Sequence, residues 1–341
     1  MSKLSFLVTR ARKMDWKRMM DTARMLHKKT DRSTAWLLQD MLRCAVRYNA
    51  GYMEYKIAEM YRLTDAQRRT VITRGISNRI VRAMNDKAYW HFFDDKTQFN
   101  TLFAGQIRRD WLRADENLTA DTLSDFLSRH DQVLYKPLEG SSGQGIVKFS
   151  RQDWEGDVPG FLRKLREMGD AILEELVVQH PVMAGMCPTS VNTVRVATLL
   201  GDKQEGIVYA FLRIGNGKVM DNVDCGGMAA RVDLATGTLK TVAADKQGNV
   251  YERHPMTGTP IIGFQIPFWD EIKSMCLTAM HKVPQVRFVA WDVAVTENGP
   301  LFIEGNSFPS HAVPQFAAHY PDGIGILPEF EKFIDVSALK A

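Results

Sequence analysis

The run Trp291-Asp292-Val293-Ala294-Val295-Thr296-Glu297-Asn298-Gly299-Pro300-Leu301-Phe302-Ile303-Glu304-Gly305-Asn306 gathers two carboxylates and an amide on what reads as a β-hairpin. Apolar stretches flank Asn298-Gly299, the dipeptide that most readily supplies the positive φ angles of a tight turn. Pairing outward from that turn sets Asp292 opposite residues 304 to 305. Glu304 and Asn306, two apart on one strand, project from the same face. Asp292, Glu304 and Asn306 are therefore a candidate metal set. Oxygen-only ligands suit Mg²⁺, a hard cation that keeps several waters and is usually shared with nucleotide phosphates. Read alone, the same residues also fit an ordinary surface hairpin with polar positions.

Three further segments carry candidate chemistry. Tyr135-Lys136-Pro137-Leu138-Glu139-Gly140-Ser141-Ser142-Gly143-Gln144-Gly145-Ile146 places a lysine at the end of a strand, before a loop rich in glycine and serine. Glycines let backbone N–H groups approach phosphate oxygens, serines add donors and Lys136 offsets their charge. The pattern matches neither the Walker loop nor the dinucleotide fingerprint, and a plain glycine-rich turn is the alternative. Ile172-Leu173-Glu174-Glu175-Leu176-Val177 is an apolar strand ending in two acids. It can offer a purine apolar walls, backbone donors and acceptors, and a carboxylate for ribose, or it can simply be a strand leaving the core. Asn192-Thr193-Val194-Arg195-Val196 sets a guanidinium in an apolar strand, where it needs a partner: a phosphoryl or carboxylate ligand, or a structural acid. Asp221-Asn222-Val223-Asp224-Cys225-Gly226-Gly227 joins polar side chains to a glycine pair, with Arg231 beyond it. His180 and His254, each before a proline, are candidates for substrate binding or proton transfer. No Ser-His-Asp order and no histidine cluster stands out.

The elements that must position these groups change character along the chain. Residues 14 to 90 carry apolar side chains at helical spacing (Trp36, Leu37, Met41, Leu42, Ala45, Val46), and Tyr48, Tyr52, Tyr55 and Tyr61 read as packing residues rather than a stacking surface. Asp95-Lys96 opens another helical stretch whose spacing runs through Phe99, Leu102, Phe103 and Ile107 to Trp111. From about residue 131 strands appear, at 133–137, 146–149, 171–173, 191–200, 206–213 and 228–232, with helices at 161–168 and 269–281. Short turns between strands, mixed with helices, predict an α+β fold rather than a parallel sheet.

Composition bounds the possibilities. The 341 residues are 45% hydrophobic and 25% charged, which suits a globular protein of two or three domains. Cys44, Cys187, Cys225 and Cys276 show no C-x-x-C spacing, so neither a zinc site nor a disulfide framework is expected, and a reducing cytoplasm fits best. Neither a membrane span nor a signal peptide is expected. The net charge of +4 conceals an asymmetry, since residues 1–90 hold 20 Lys and Arg against 8 Asp and Glu. Such a segment can lie on an anionic membrane, hold a polyanionic substrate or touch nucleic acid, or its charges are the solvated faces of helices.

In order, the lysine strand with its glycine loop, the Glu-Glu-Leu-Val linker, the Asn-x-x-Arg strand, the Asp-Asn and Gly-Gly segment and the terminal hairpin resemble the ATP-grasp superfamily. Gln179-His180-Pro181, Asn192-Thr193-Val194-Arg195, His254-Pro255-Met256-Thr257-Gly258, Ile266-Pro267-Phe268-Trp269 and Trp291-Asp292-Val293-Ala294 narrow the resemblance to the sugar-transfer associated ATP-grasp proteins, over roughly residues 85 to 315. The resemblance implies two α+β lobes clasping MgATP, a first lobe at about 91–175 and a second at about 176–330. A basic helical region at 1–90 would precede them and a C-terminal tail at 331–341 would follow. It implies phosphates under Ser141, Ser142, Gly143, Gln144 and Gly145, held by Lys136 and by Lys96. Glu174, Glu175, Leu176 and Val177 would form the adenine hinge, with His180 nearby. Asp292, Glu304 and Asn306 would hold Mg²⁺, and Arg195, with Asn222, would stabilise the transferred phosphate. Gln179-His180 stands where many relatives carry a ribose-binding glutamate.

The chemistry so implied is that of a carboxylate-amine ligase working through an acyl phosphate, with small-molecule carboxylate and amine substrates that belong to cell-surface polysaccharide or natural-product assembly. Such a reaction needs positioning and charge neutralisation and no protein nucleophile. A phosphotransferase acting on a hydroxyl uses the same cradle, and a non-catalytic nucleotide-binding module is a third reading. Nucleic acid is not an expected partner, because no known motif accompanies the charge. The basic helices are expected to help bind an acidic saccharide or its carrier, or to touch a membrane surface.

Overall fold

The computed structural model describes residues 15–138, 145–217 and 221–339. Helical periodicity at the start of the chain becomes helices Trp16–His27, Thr34–Arg47 and Arg74–Met84, joined by shorter turns. Asp15 and Ser33 cap the first two, their side-chain oxygens accepting from Arg18 N and Trp36 N and so satisfying N–H groups that a helix leaves unpaired. Leu37, Met41 and Cys44 turn inward and close a small core with Tyr48, Tyr55 and Tyr61, the packing role expected of these tyrosines. Leu42 and Val46 lie on the outer face and are exposed.

The second unit is a four-stranded antiparallel sheet in the order β1-β4-β2-β3. Its strands are β1 (Trp111–Ala114), β2 (Gln132–Pro137), β3 (Val147–Ser150) and β4 (Ala171–Glu175). Helices Ala120–Ser128 and Val158–Met168 pack Leu123, Phe126, Phe161 and Leu165 onto the sheet's buried Val133, Tyr135 and Leu173. The helical reading that ran through to Trp111 fails at its end. The helical turns stop at Ile107, where Arg108 takes a left-handed conformation, and Trp111 pairs with Glu174 as the first residue of β1. Strand pairing outweighs local periodicity there.

The largest unit is a seven-stranded antiparallel sheet in the order β11-β10-β5-β6-β7-β8-β9. It comprises β5 (Val194–Leu200), β6 (Glu205–Ile214), β7 (Met228–Arg231), β8 (Ala243–Ala244), β9 (Val250–Tyr251), β10 (Phe288–Thr296) and β11 (Gly299–Asn306). Helix Trp269–Ala279 and the aromatics Phe93, Phe99 and Phe103 cover one face, through Val194, Val196, Trp291 and Val293. Helix Arg74–Met84 and the segment around Phe316 to Val336 cover part of the other, through Ala197, Leu199, Phe288 and Ala290. Burial on both faces explains why β5 and β10 read as nearly continuous apolar runs although their sheet is antiparallel. Phe333, Ile334 and Val336 are buried in that second core, so 331–339 does not trail away as the expected tail.

The helical region is locked onto the chain that follows β11. The Gln315 amide accepts from Ile72 N at 3.0 Å and donates to Ile72 O, Gly325 N donates to Thr70 Oγ1, and His311 Nε2 lies 3.2 Å from the buried Glu54. Among the described residues no helix is long and apolar enough to cross a membrane.

Candidate active site

The hairpin of β10 and β11 forms as expected, with Asp292 directly opposite Glu304. A strict two-residue pairing would put Ile303 opposite Asp292. A bulge supplies the difference: Val293 pairs with Phe302, Asp292 with Glu304, and Ile303 is the extra residue. Because side chains alternate along a strand, this one insertion changes the face that follows it. Phe302 packs into the apolar core with Trp291, whereas Glu304 and Asn306 join Asp292 on the opposite face. Gly305 sits between them under Phe99, Phe93 and Trp291, where an added Cβ would come within 2.8, 3.0 and 3.2 Å of these rings.

Asp292 is fully buried and paired. Arg195, its cross-strand neighbour on β5, donates through Nε and Nη2 to both carboxylate oxygens at 2.5 Å, and Arg213 Nη2 from β6 lies 2.8 Å from Oδ2. Burial alone would push this carboxyl up; the two guanidiniums outweigh it and hold Asp292 at about 2. Arg213 Nε also donates to Thr193 Oγ1 at 2.8 Å and lies 3.4 Å from Asp221, whose carboxylate accepts from Thr193 N. Glu304 is less compensated. Its side chain is 55% exposed, with Arg195 Nη2 at 3.7 Å, and its carboxyl is pushed up by the surrounding protein and then by Asp292.

On the other side of the cleft Glu174, only 2% exposed, receives Arg109 Nη2 at 2.9 Å, Asn100 Nδ2 at 3.2 Å and the ammonium of Lys136. Leu134 lies opposite Glu174 in the β2–β4 ladder, so Lys136 is its diagonal neighbour on the same face. Arg109 also donates to Phe302 O and Ile303 O, which ties the small sheet to the bulge of β11. Lys96, on the first turn of helix Lys96–Leu102, donates to Leu138 O at 3.3 Å. Burial lowers its pKa, against the attraction of Glu304, with Lys136 adding repulsion and Glu174 attraction. Lys96 thus lies within electrostatic reach of Glu304 on the large sheet and of Lys136 and Glu174 on the small one.

Other anticipated residues are placed differently. Glu174 is a buried counter-ion at the end of a strand, not a free hinge group. Glu175 Oε2 accepts from Asp110 N at 3.0 Å, which fixes the strand end before Leu176 and Val177. His180 Nδ1 accepts from Val182 N and caps helix Pro181–Met186. Gln179 donates to Cys187 O and Ser190 O and accepts from Asn192, a structural role at the position where a ribose contact was sought. His254 is buried on Gly215 O. Asn222 caps a single turn at Val223–Cys225 through Asp224 N, and it is Asp221, one residue earlier, that enters the arginine network. Ser141, Ser142, Gly143 and Gln144 lie outside the described residues; Gly145, beyond them, has φ +74. Arg109, Asn100 and Arg213 were not anticipated. Arg213 ends an apolar strand as Arg195 begins one, so the reasoning applied to Arg195 would have found it. Arg109, in Arg108-Arg109-Asp110, has the sequence appearance of a surface turn.

The donor set suits a hard dication. Among the described residues no group of three or more His, Cys, Asp or Glu side chains gathers as a metal cluster; the set here is two carboxylates and an amide. Two carboxylates facing each other, one with its pKa raised by burial and then by the other, form a site whose repulsion a cation relieves. Asn306 Nδ2 turns toward Ala290 O and Glu304 Oε1, at 3.4 and 3.5 Å.

A model of the sugar-transfer associated ATP-grasp family matches residues 76–321, more than two-thirds of the sequence. The chain belongs to this family. Two α+β lobes with a lysine pair on one side and Asp292, Glu304 and Asn306 on the other are thus the ATP-grasp fold in this chain, preceded by helices that lie mostly outside the family match. No curated protein matches the sequence. Among solved structures the chain is similar to the ATP-grasp ligase PsnB complexed with minimal precursor, Mg and ADP, at 15% identity and TM-score 0.40 over 73% of this chain and 62% of that one. It is similar to the D-alanine-D-alanine ligase from Coxiella burnetii at 11% identity and TM-score 0.42 over 73% and 57%, and to D-cycloserine synthetase DcsG at 13% and 0.44 over 77% of each. The chain thus spans less than two-thirds of the first two proteins.

Proposed function

We propose that the protein is an ATP-dependent carboxylate-amine ligase that works through an acyl phosphate, acting in cell-surface polysaccharide or related natural-product assembly in the cytoplasm. The convergence of Lys96 and Lys136 with Arg195, Asp292, Glu304 and Asn306 on one cleft, within a chain of the ATP-grasp family, carries this reading. Four free cysteines are consistent with a reducing compartment. PsnB was solved with Mg and ADP, and the same nucleotide and metal fit the cleft chemistry here.

In this reading Lys96 and Lys136 draw the phosphates to the small-sheet side. Glu304 and Asn306, with Asp292 beside them, would hold Mg²⁺, which would supply charge neutralisation to the phosphate oxygens. Arg195 and Arg213 keep Asp292 ionised and present guanidinium charge beside the transferred group. A substrate carboxylate oxygen attacks the γ-phosphorus and ADP leaves; an amine then attacks the acyl carbon, phosphate leaves and the amine gives up a proton. Every protein group assigned here binds or orients, and none is a nucleophile.

ATP turnover with Mg²⁺ against pools of amino acids, sugar acids and amino sugars tests the proposal. Equal ADP and phosphate that depend on both an acid and an amine, with a product lighter than their sum by one water, are the expected result. ADP without free phosphate, with a product heavier by one phosphoryl group, would make the protein a phosphotransferase. The basic helices, with Trp16, Leu42 and Val46 exposed, are inferred to meet an acidic saccharide or its lipid carrier. Charge reversal of their exposed arginines with no change in substrate KM or vesicle binding would remove that part of the reading.

A further inference from the structure

Two open depressions border the segment 82–98 that carries Lys96 into the cleft. One, of about 440 Å³, runs from Trp90 past Asp94 and Asp95 to Leu138, whose carbonyl takes the Lys96 ammonium. The other, of about 710 Å³, runs from Trp90 to Phe308 and is lined by Arg82, Lys87 and Arg287. They share Lys87 and Trp90 and so form one trough. The site bounds it at both ends: Leu138 leads into the glycine-rich loop, and Phe308 stands two residues after Asn306. Asn85 fixes the second end, its amide donating to Phe288 O at 2.7 Å and to Ser307 O at 2.6 Å.

The two halves differ in charge. The smaller carries Asp94 and Asp95 against the shared Lys87, whereas the larger carries Arg82, Lys87 and Arg287 against Asp86. Asp86 spends a carboxylate oxygen on Ala88 N, capping a turn. Arg287 is paired with Asp202. Arg82 and Lys87 are exposed and make no ion pair among the described residues, so their charge is available to a ligand. Beside them Phe308 is 49% exposed and stands edge to face with Trp90, at 5.8 Å between ring centroids. Half-exposed Phe308, braced by the partly buried Trp90, offers one exposed apolar ring beside unpaired cations, which suits a ligand that has both a ring face and a negative charge.

We propose that the larger half of this trough binds the non-reacting part of an acidic sugar substrate, the apolar C–H face of a pyranose ring lying against Phe308 and its carboxylate on Arg82 and Lys87. The proposal rests on the ligase reading, because the trough leads such a ligand toward the space between Lys96 and Glu304. Binding can nevertheless be measured without turnover. Isothermal titration of the full chain with trigalacturonic acid and with neutral maltotriose, in low salt and without nucleotide, separates the two readings. The acidic trisaccharide should bind at least tenfold more tightly than the neutral one. Both R82E/K87E and F308A, changes at exposed side chains, should each weaken it at least tenfold while a non-hydrolysable ATP analogue binds as in the unaltered protein. Equal binding of the two trisaccharides, no binding of the acidic one, or tighter binding of uridine monophosphate at the same residues would overturn the sugar assignment. Loss of nucleotide binding with trigalacturonate binding intact would instead overturn the ligase reading and leave the trough standing.

Discussion

Glu174 lends itself to a decisive perturbation, because its sequence reading and its structural setting assign it different work. As part of an adenine hinge, its removal would weaken nucleotide binding and spare the fold. As a carboxylate 2% exposed, 2.9 Å from an equally buried Arg109 and in contact with Lys136, it should do the reverse. One pair at that distance is worth about 6 kcal/mol of attraction at an effective dielectric constant of about 20. Much of this offsets the desolvation of both partners, and breaking a buried pair costs about 3–5 kcal/mol in net terms. Glu174→Gln keeps the shape and the Asn100 contact but leaves two cations uncompensated, so a loss of about 3–5 kcal/mol is expected. In urea that shifts the midpoint by about 1 M or more for a slope of about 3 kcal/mol/M. Arg109→Met should cost a similar amount, and the double variant less than the sum, with a coupling of about 2 kcal/mol or more. Destabilisation below about 1 kcal/mol, or strict additivity, would refute the buried-link argument; weaker binding of an ATP analogue by a variant of unchanged stability would restore the hinge role.

Four other outcomes follow from the same geometry. Glu304→Ala should abolish Mg²⁺-dependent ATP turnover with the unfolding midpoint within about 1 kcal/mol of the parent, since the side chain is half exposed and its removal relieves repulsion with Asp292; normal turnover by this variant would end the metal assignment. Gly305→Ala forces a Cβ against Phe99, Phe93 and Trp291 and should cost about 1–3 kcal/mol and shift Mg²⁺ dependence, read by paired unfolding and metal titrations. Arg213→Lys should lower kcat at least tenfold in steady-state assays, because an ammonium cannot span Asp292, Thr193 and Asp221 as the planar fork does. Glu54 is held at about 2 in the fold although burial opposes ionisation, by its bonds from His311 and from backbone N–H groups, against an ordinary value of 4.5. A depressed carboxyl stabilises above its unfolded pKa and loses that contribution as pH falls through the folded one; unfolding free energy should therefore drop between about pH 4.5 and 2, and Glu54→Gln should flatten that limb.

The legible parts of this fold are those where chemistry and periodicity agree. The hairpin could be read because an Asn-Gly turn fixes pairing within a residue, and the observed partner of Asp292, Glu304, falls inside the 304 to 305 window although a bulge at Ile303 precedes it. Lys136 was legible because it ends a strand before a glycine-rich loop, and Arg195 because a cation in an apolar strand demands a partner. That demand, however, does not say which partner. Lys136 meets Glu174, Arg195 meets Asp292, and each acid had been assigned to a ligand instead. Pairing across strands far apart in sequence decides this, and no local pattern encodes it. Trp111 shows the same limit in another form, because an apolar residue at helical spacing is equally at home in a strand once β4 is there to pair with it. Gln179, which stands where relatives carry a ribose-binding glutamate, and Asn192 spend their amides on backbone carbonyls, an outcome legible only when those carbonyls are in place.

The charges that face the cleft are divided between the two sheets. On the small-sheet side Lys96, Lys136 and Arg109 surround a single carboxylate, Glu174, so that side is positive overall. On the large-sheet side Arg195 and Arg213 stand against Asp221, Asp292 and Glu304, which leaves an unbalanced acid; burial raises the pKa of both Asp221 and Glu304, and of these Glu304 is the one open to solvent. In the proposed reading a polyphosphate with a dication would be drawn to both sides at once, the phosphates by the lysines and the cation by Glu304 and Asn306. Neither phosphate alone nor the metal alone satisfies both. Arg109 adds a mechanical reason for the two sides to act together, since the guanidinium that balances Glu174 also holds the carbonyls of Phe302 and Ile303 at the bulge that turns Glu304 outward. The division of charge and the bulge that presents it are therefore built on one buried arginine that a linear reading of the chain places in a surface turn.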